Sequence, residues 1–321
     1  MNLDINKLCI DVGLKYNDSV ILGKEEVTKF IKKHFDKFNE LYLNNMDNSQ
    51  MLYGYNSEQN PVKIGYKGNL IQRIIIVTKP IKYTRYKAVI SYDGHLYNGF
   101  QIQKNHKTIQ GELSKVVSNI NDYETLVQGA SRTDTGVHAY HYVIHFDSIR
   151  GISSDRWLQL LNYHLPNDIL VKEVTKTHPL FHSRYDVYKK RYLYKIRLND
   201  LNPFKTNYEW DCKNLDLEIL RNNLKQLVGE HDFASFCKGE PNDSVRIIYK
   251  AEFQETEDGI NLIFEGNGFL RYMIRIIVYT LYLQSSNKLT LTITEILKEK
   301  SRKHTKDLAP ASGLYLDKIF Y

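Results

Sequence analysis

Apolar residues recur along this chain with two periods, and the switches between them mark its elements. Residues 24–43 place Val27, Ile31, Phe35 and Phe38 at helical spacing, with charges on the other side, and so predict an amphipathic helix. The Asn-rich stretch 44–60 reads as turn-like, and NLIQRIIIV at 69–77 as a buried strand. Residues 85–91 alternate like a strand and 109–120 have helical spacing. Residues 140–147 alternate again, with Tyr140, Tyr142, Ile144 and Phe146 on one face. A short helix at 157–163 ends at Leu165-Pro166. Beyond it the pattern predicts a strand at 188–197 and a helix at 217–228 that aligns Leu220, Leu224 and Leu227. A strand at 260–266 and an apolar helix at 268–284 follow.

Successive strand–helix–strand units predict an α+β fold, with two similar halves building a mixed sheet. The divisions fall at 1–82, a small N-terminal α+β extension, then 83–187 and 188–321. The extension mixes both charge signs and marks no site; it reads as a docking or folding appendage.

Composition narrows the class. The chain has 321 residues, 42% hydrophobic and 25% charged, enough for one or two globular domains. A mean hydropathy of -0.45 and the lack of a long apolar run argue against a membrane span. The net charge of +7 tilts the partner toward a polyanion. Cys9, Cys212 and Cys237 lie far apart without ligand spacing, as expected of reduced thiols in a cytoplasmic protein. Asp4, Asp11 and Asp18 at the N-terminus fit neither a signal peptide nor a transit peptide.

Three stretches carry candidate chemistry. In GASRTDTGVHA, residues 129–139, glycines flank Asp134, and Arg132 stands close enough in sequence to help ionise it. An aspartate in a turn is, by itself, more often a turn former. Arg271 and Arg275 are four residues apart in apolar surroundings. They need a carboxylate or a phosphate, or must reach out to water. Tyr188–Arg197 puts Tyr188, Lys190, Tyr192 and Tyr194 on one strand face and Lys189, Arg191, Lys195 and Arg197 on the other. Such interleaving suits single-stranded nucleic acid, and equally a strand with a charged solvent face. Of His138, His141 and His145 only the last two share a strand face, too far apart for one ion, so no metal site is expected. The chain has no dinucleotide fingerprint, P-loop, nucleophile elbow or HExxH.

Taken in order, these blocks resemble the tRNA pseudouridine synthase A family. ASRTDTGVHA is similar to its signature around the catalytic aspartate. Ser91–Gly94, Asn98–Gln101 and Gln110–Leu113 precede it in family order. Leu165–Ile169, Phe181–Arg184, Lys190–Tyr194, Gly229–Cys237, Gly266–Leu270, Met273–Arg275 and Ala309–Leu316 follow it. The resemblance spans 83–321 and is nearest to bacterial members.

The resemblance implies a pseudouridine synthase fold, two α+β halves sharing a central, mainly antiparallel sheet. It implies that Asp134 attacks a uridine and helps break its glycosidic bond. It further implies that Arg275 pairs with Asp134, that Tyr192 stacks on the target base and takes a proton from the sugar, and that Leu314 lines the pocket. Arg132 and Arg184 would contact RNA. Lys104, Lys107, Lys189 and Lys190 would follow phosphates. No metal or cofactor is implied. The implied partners are the tRNA anticodon stem-loop, at uridines 38 to 40, and a second copy of the chain. Ser131, Thr135 and Tyr279 depart from the usual pattern, and the extension has no counterpart in it. The alternative kept open is a catalytically weak tRNA-binding or folding factor of the same fold. A metal-dependent nuclease using the histidines and Asp134 is a third reading.

Overall fold

The computed structural model describes residues 51–55, 61–67, 70–77 and 81–321. The helix expected at 24–43 and Cys9 lie outside the described residues. Strands β1 (Met51–Tyr55), β2 (Pro61–Lys67) and β3 (Leu70–Ile76) form a three-stranded antiparallel sheet in chain order. β3 falls where NLIQRIIIV predicts a strand. β1 corrects the turn-like reading of 44–60. Its MLYGY segment is too short to show a period between Asn-rich flanks, yet it pairs along its whole length with β2, where Val62 and Ile64 are fully buried.

The second sheet contains β4 (Thr84–Tyr92), β5 (Gln128–Gly129), β6 (His138–Ser148), β7 (Ile169–Thr177) and β8 (Lys189–Arg197). It also contains β9 (Trp210–Asp211), β10 (Gly229–Asp232), β11 (Val245–Thr256), β12 (Gly259–Gly266) and β13 (Leu314–Phe320). Its order is β10-β11-β12-β8-β13-β6-β4-β7, with β5 on β6 and β9 on β8. Neighbours along that path are antiparallel except at one seam, where β13 runs parallel to β6 through Tyr315↔His138 and Leu316↔Ala139. The last strand of the chain thus joins β4, β6 and β7 on one side to β8 and β10–β12 on the other.

Helices α1 (Ile109–Asn121), α2 (Ser154–His164), α3 (Leu217–Lys225), α4 (Met273–Ser285) and α5 (Ile293–Glu299) cover this sheet. α1 starts at Thr108, whose side chain accepts the Gly111 amide, and α5 at a capping box of Thr292 and Glu295. α4 begins at Met273 rather than at 268, because Tyr272 before it takes a left-handed conformation, φ 62°. Arg271 therefore precedes the helix instead of sharing a face with Arg275.

Trp157 on α2 packs against Tyr86 and Phe146 of β4 and β6, with all three fully or almost fully buried. The Tyr86 hydroxyl donates to Ile152 O at 2.5 Å, so the ring is buried without an orphaned polar group. Trp157→Ala is expected to lower unfolding free energy by about 3–5 kcal/mol, the usual cost of emptying an aromatic site, as read by urea denaturation.

Candidate active site

The loop from β5 into β6 is held by neutral hydrogen bonds from buried tyrosines. Tyr142 Oη accepts the Ser131 amide at 3.0 Å and donates to Ser131 O. Tyr92 Oη and Thr133 Oγ1 meet at 2.8 Å. The Phe100 amide donates to Thr133 O at 3.2 Å, and the Gly136 amide to Tyr97 O at 3.3 Å. Burial pushes both Tyr92 and Tyr142 well above the usual tyrosine range, so they remain neutral phenols. Gly99, at φ +83°, lets the preceding chain approach this loop: a Cβ there would lie 2.5 Å from Thr133 O.

Asp134 projects from this pinned loop into a cleft of about 780 Å³. Arg132, Arg184, Lys190, Tyr192 and Leu314 line the same cleft, so it gathers most of the residues singled out from sequence. Lys104 is exposed and lies off the cleft lining. Arg275 approaches from behind, its Nη1 3.8 Å from Asp134 Oδ2, while its Nε donates to Ala309 O at 2.7 Å. The Ala309 amide donates back to Arg275 O at 3.0 Å. This reciprocal pair ties α4 to the segment that leads into Leu314.

Opposed effects act on the Asp134 carboxyl. Burial raises its pKa, and the guanidinium groups of Arg275 and Arg271 partly offset that rise; the net shift is upward. Arg132, expected to help ionise Asp134, is instead exposed, and the two cations that bear on the carboxyl come from the distant 271–275 segment. Proximity in sequence did not translate into proximity of charge.

Across the cleft, Tyr192 is buried, with its ring edge-on to Phe269 at 5.2 Å. Its hydroxyl lies 3.5 Å from Ser131 Oγ, which also accepts Lys190 Nζ at 3.0 Å. Burial pushes the Tyr192 phenol up to about 12, with Ser131 lowering it and Asp134 raising it. Burial, then Arg184 and Arg246, pushes the Lys190 ammonium down to about 8. Ser131, a departure from the family pattern, is thus the hydroxyl that joins Lys190 to Tyr192. Thr135 is exposed at the cleft, and Tyr279 stacks on Trp210 at 6.2 Å, away from Asp134.

The left-handed Tyr272 went unrecognised in the sequence. It lines the cleft, and Arg271 and Arg275 approach its ring at 5.1 and 5.6 Å. The FLRYMIR block was visible, but nothing in it announces a positive φ. The three strand histidines occupy separate settings: His138 reaches Asn207 O, His145 reaches Ser183 Oγ, and His141 is half-buried. Among the described residues no group of His, Cys, Asp or Glu is arranged to hold a metal ion.

A mixed sheet joined at one parallel seam thus places a pinned aspartate 3.8 Å from an arginine beside a basic cleft. The model of the family described as tRNA pseudouridine synthase matches residues 88–186 and 224–321. tRNA pseudouridine synthase A of Geobacillus sp. (strain WCH70) is 40% identical over 243 residues, 74% of this chain and 98% of that protein. The Bacillus subtilis (strain 168) protein of that name is 39% identical over 245 residues, 74% of this chain and 99% of its own length. The one from Staphylococcus epidermidis (strain ATCC 12228) is 35% identical over 236 residues, 72% of this chain and 88% of its own. The chain belongs to the tRNA pseudouridine synthase A family.

Gly99→Ala is expected to destabilise the protein by about 1–3 kcal/mol, since both the left-handed backbone and the Thr133 carbonyl oppose a side chain. Gly151→Ala, where an added Cβ meets nothing within 4 Å, should change stability by less than about 0.5 kcal/mol. Parallel urea denaturation of the two variants checks this.

Proposed function

We propose that the protein isomerises uridine to pseudouridine in tRNA, with Asp134 as the catalytic carboxylate. The observation that carries this reading is the placement of Asp134 on a rigid loop in a basic cleft, 3.8 Å from Arg275. In the reaction the C1′–N1 bond breaks, the base turns over, and a C1′–C5 bond forms. The hydrogen on C5 leaves as a proton and N1 takes one up, so no electrons are gained or lost. The proposed chemistry draws on no metal or cofactor.

Asp134 attacks the uridine as a carboxylate, and so must be ionised at the working pH. Arg275 is the group that keeps it so as the base closes the cleft and excludes water. Tyr192 and Leu314 bound the space for the base, which suits stacking on a flat ring against an apolar wall. We assign Tyr192 to stacking on the base and to taking a proton from the sugar; burial, which pushes its phenol up to about 12, favours the neutral form before the base is bound. Holding base and sugar together after bond cleavage is a positioning task, which a pinned loop serves well.

Arg132, Arg184 and Lys190 are assigned to RNA contacts around the cleft, and Lys104 to phosphates beyond it. Drawing a uridine out of its stack costs on the order of a few kcal/mol, which these contacts offset. The target we assign is the anticodon stem-loop at uridines 38 to 40, and the working form a homodimer in the cytoplasm. These are what the resemblance to the family implies, and the net charge of +7 supports a polyanionic substrate.

Purified protein given tRNA tritiated at uridine C5, in EDTA, is expected to release tritium. Asp134→Ala should release none yet retain tRNA binding; an active Asp134→Ala protein would sink the mechanism. The pH profile gives a separate check. Activity is expected to fall as pH falls through the Asp134 pKa, which lies above the usual carboxylate value. In Arg275→Met, which removes a cation that lowers this pKa, the acidic limb should move to higher pH. An unmoved limb would show that Arg275 does not set the charge of Asp134.

A further inference from the structure

The three-stranded sheet β1–β3 lies before the residues matched by the family model, which begin at 88. It nonetheless makes buried polar contacts with one short segment of the enzyme body, His178–Asp186. Lys63 on β2 and Asp186 form an ion pair in which both side chains are nine-tenths or more buried. The Tyr53 hydroxyl on β1 donates to the other oxygen of the same carboxylate. Lys63 Nζ also donates to Leu180 O at 3.3 Å, and the His178 ring meets Gly54 O at 3.0 Å.

From Asp186 the contacts run directly to the cleft. Asp186 Oδ2 accepts the His182 amide at 2.6 Å, and the Asp186 amide donates to His182 O at 3.2 Å. His182 Nδ1 in turn accepts the Arg184 amide at 3.1 Å and the Tyr185 amide at 3.4 Å. Arg184 itself is exposed and lines the cleft. The carboxylate that shapes the Arg184 turn is therefore buried, and the ammonium in contact with it comes from the extension. Arg85 lies nearby but is engaged with Asp147 and Phe181 O. A buried carboxylate that loses its cation is strongly destabilised and takes up a proton or shifts, either of which disturbs the hydrogen bonds it accepts.

We propose that β1–β3 is a positioning element for RNA binding, which sets Arg184 at the cleft through the buried Lys63–Asp186 pair and the Tyr53 hydroxyl. Lys63 and Tyr53 are positioning residues: both are buried, and neither lines the cleft. The inference rests on the reading of Arg184 as an RNA contact.

The test is a double-mutant cycle in the full chain, read by tRNA affinity in filter binding across a salt series. Arg184→Ala should weaken binding and reduce the salt slope by about 1, the signature of one lost phosphate contact. Lys63→Met should do the same, although a buried lysine touches no phosphate. The double variant should bind no more weakly than Arg184→Ala alone. In steady-state assays the Lys63→Met loss should appear in KM with kcat unchanged. Amides of His182, Arg184 and Asp186 should exchange faster in Lys63→Met, with exchange in β4, β6 and β8 unchanged.

Independent, multiplying losses, or a Lys63→Met protein with wild-type affinity and salt slope, would overturn the proposal. Should Lys63→Met fail to fold, Tyr53→Phe decides the matter. It keeps the ammonium and removes one donor, and should weaken binding about two- to fivefold, the loss of one modest hydrogen bond, only while Arg184 is present. The binding cycle needs no catalysis. A protein that shows the coupling but releases no tritium would sustain this inference and sink the isomerase reading, and the reverse result would do the opposite.

Discussion

The site depends on a short parallel contact. Where β13 meets β6, Tyr315↔His138 and Leu316↔Ala139 are the registered pairs that join the two sides of the large sheet. Side-chain stacking reinforces this brief ladder: the Tyr315 ring lies 4.7 Å from His138 and 4.8 Å from Tyr140. Its hydroxyl donates to Tyr208 O at 2.8 Å, tying in the loop after β8. Strand register then fixes the rest. β6 starts where the Asp134 loop ends, β13 starts at Leu314, and Leu316 pairs with Tyr192 on β8. Three segments far apart in sequence arrive at one cleft because a single strand lies between the others.

The second constraint is electrostatic. Asp134 sits where burial opposes its charge, and the cations that favour the charge come from the far side of the fold. Arg275 is directed by Ala309, whose carbonyl holds its Nε, in the segment running toward β13. The placement of the seam and the charge of Asp134 are therefore linked: a shift of β13 would carry Ala309 with it and move the guanidinium.

Much of this was legible because it rests on local pattern. Alternation in RYKAVIS and YHYVIHFD located β4 and β6, and helical spacing located α1 and α3. The signature block located the aspartate, and the ordered blocks carried the family. What escaped depends on contacts between distant residues. The pairing of Arg275 with Asp134 was implied by the resemblance and not by anything near Asp134 in sequence; Arg271 as a second counter-charge escaped, and the nearer Arg132 misled. The left-handed turn at Tyr272 carries no glycine or asparagine to signal it. β1 escaped because five residues are too few to establish a period, and its stability comes from a partner strand and a docking surface.

Two loops border the cleft, and they are anchored by different chemistry. The Asp134 loop is fixed by the phenols of Tyr92 and Tyr142, which burial keeps neutral. Neutral anchors add no fixed charge beside a carboxylate whose ionisation is already opposed by burial, so the loop is held without further disturbing its pKa. The Arg184 turn is fixed instead through a buried carboxylate that needs a cation. Such an anchor is demanding, because it fails as a whole when one partner is removed. That property makes it unsuitable beside the Asp134 carboxylate. It suits a loop whose position answers to another part of the chain, here a sheet that lies outside the residues matched by the family model.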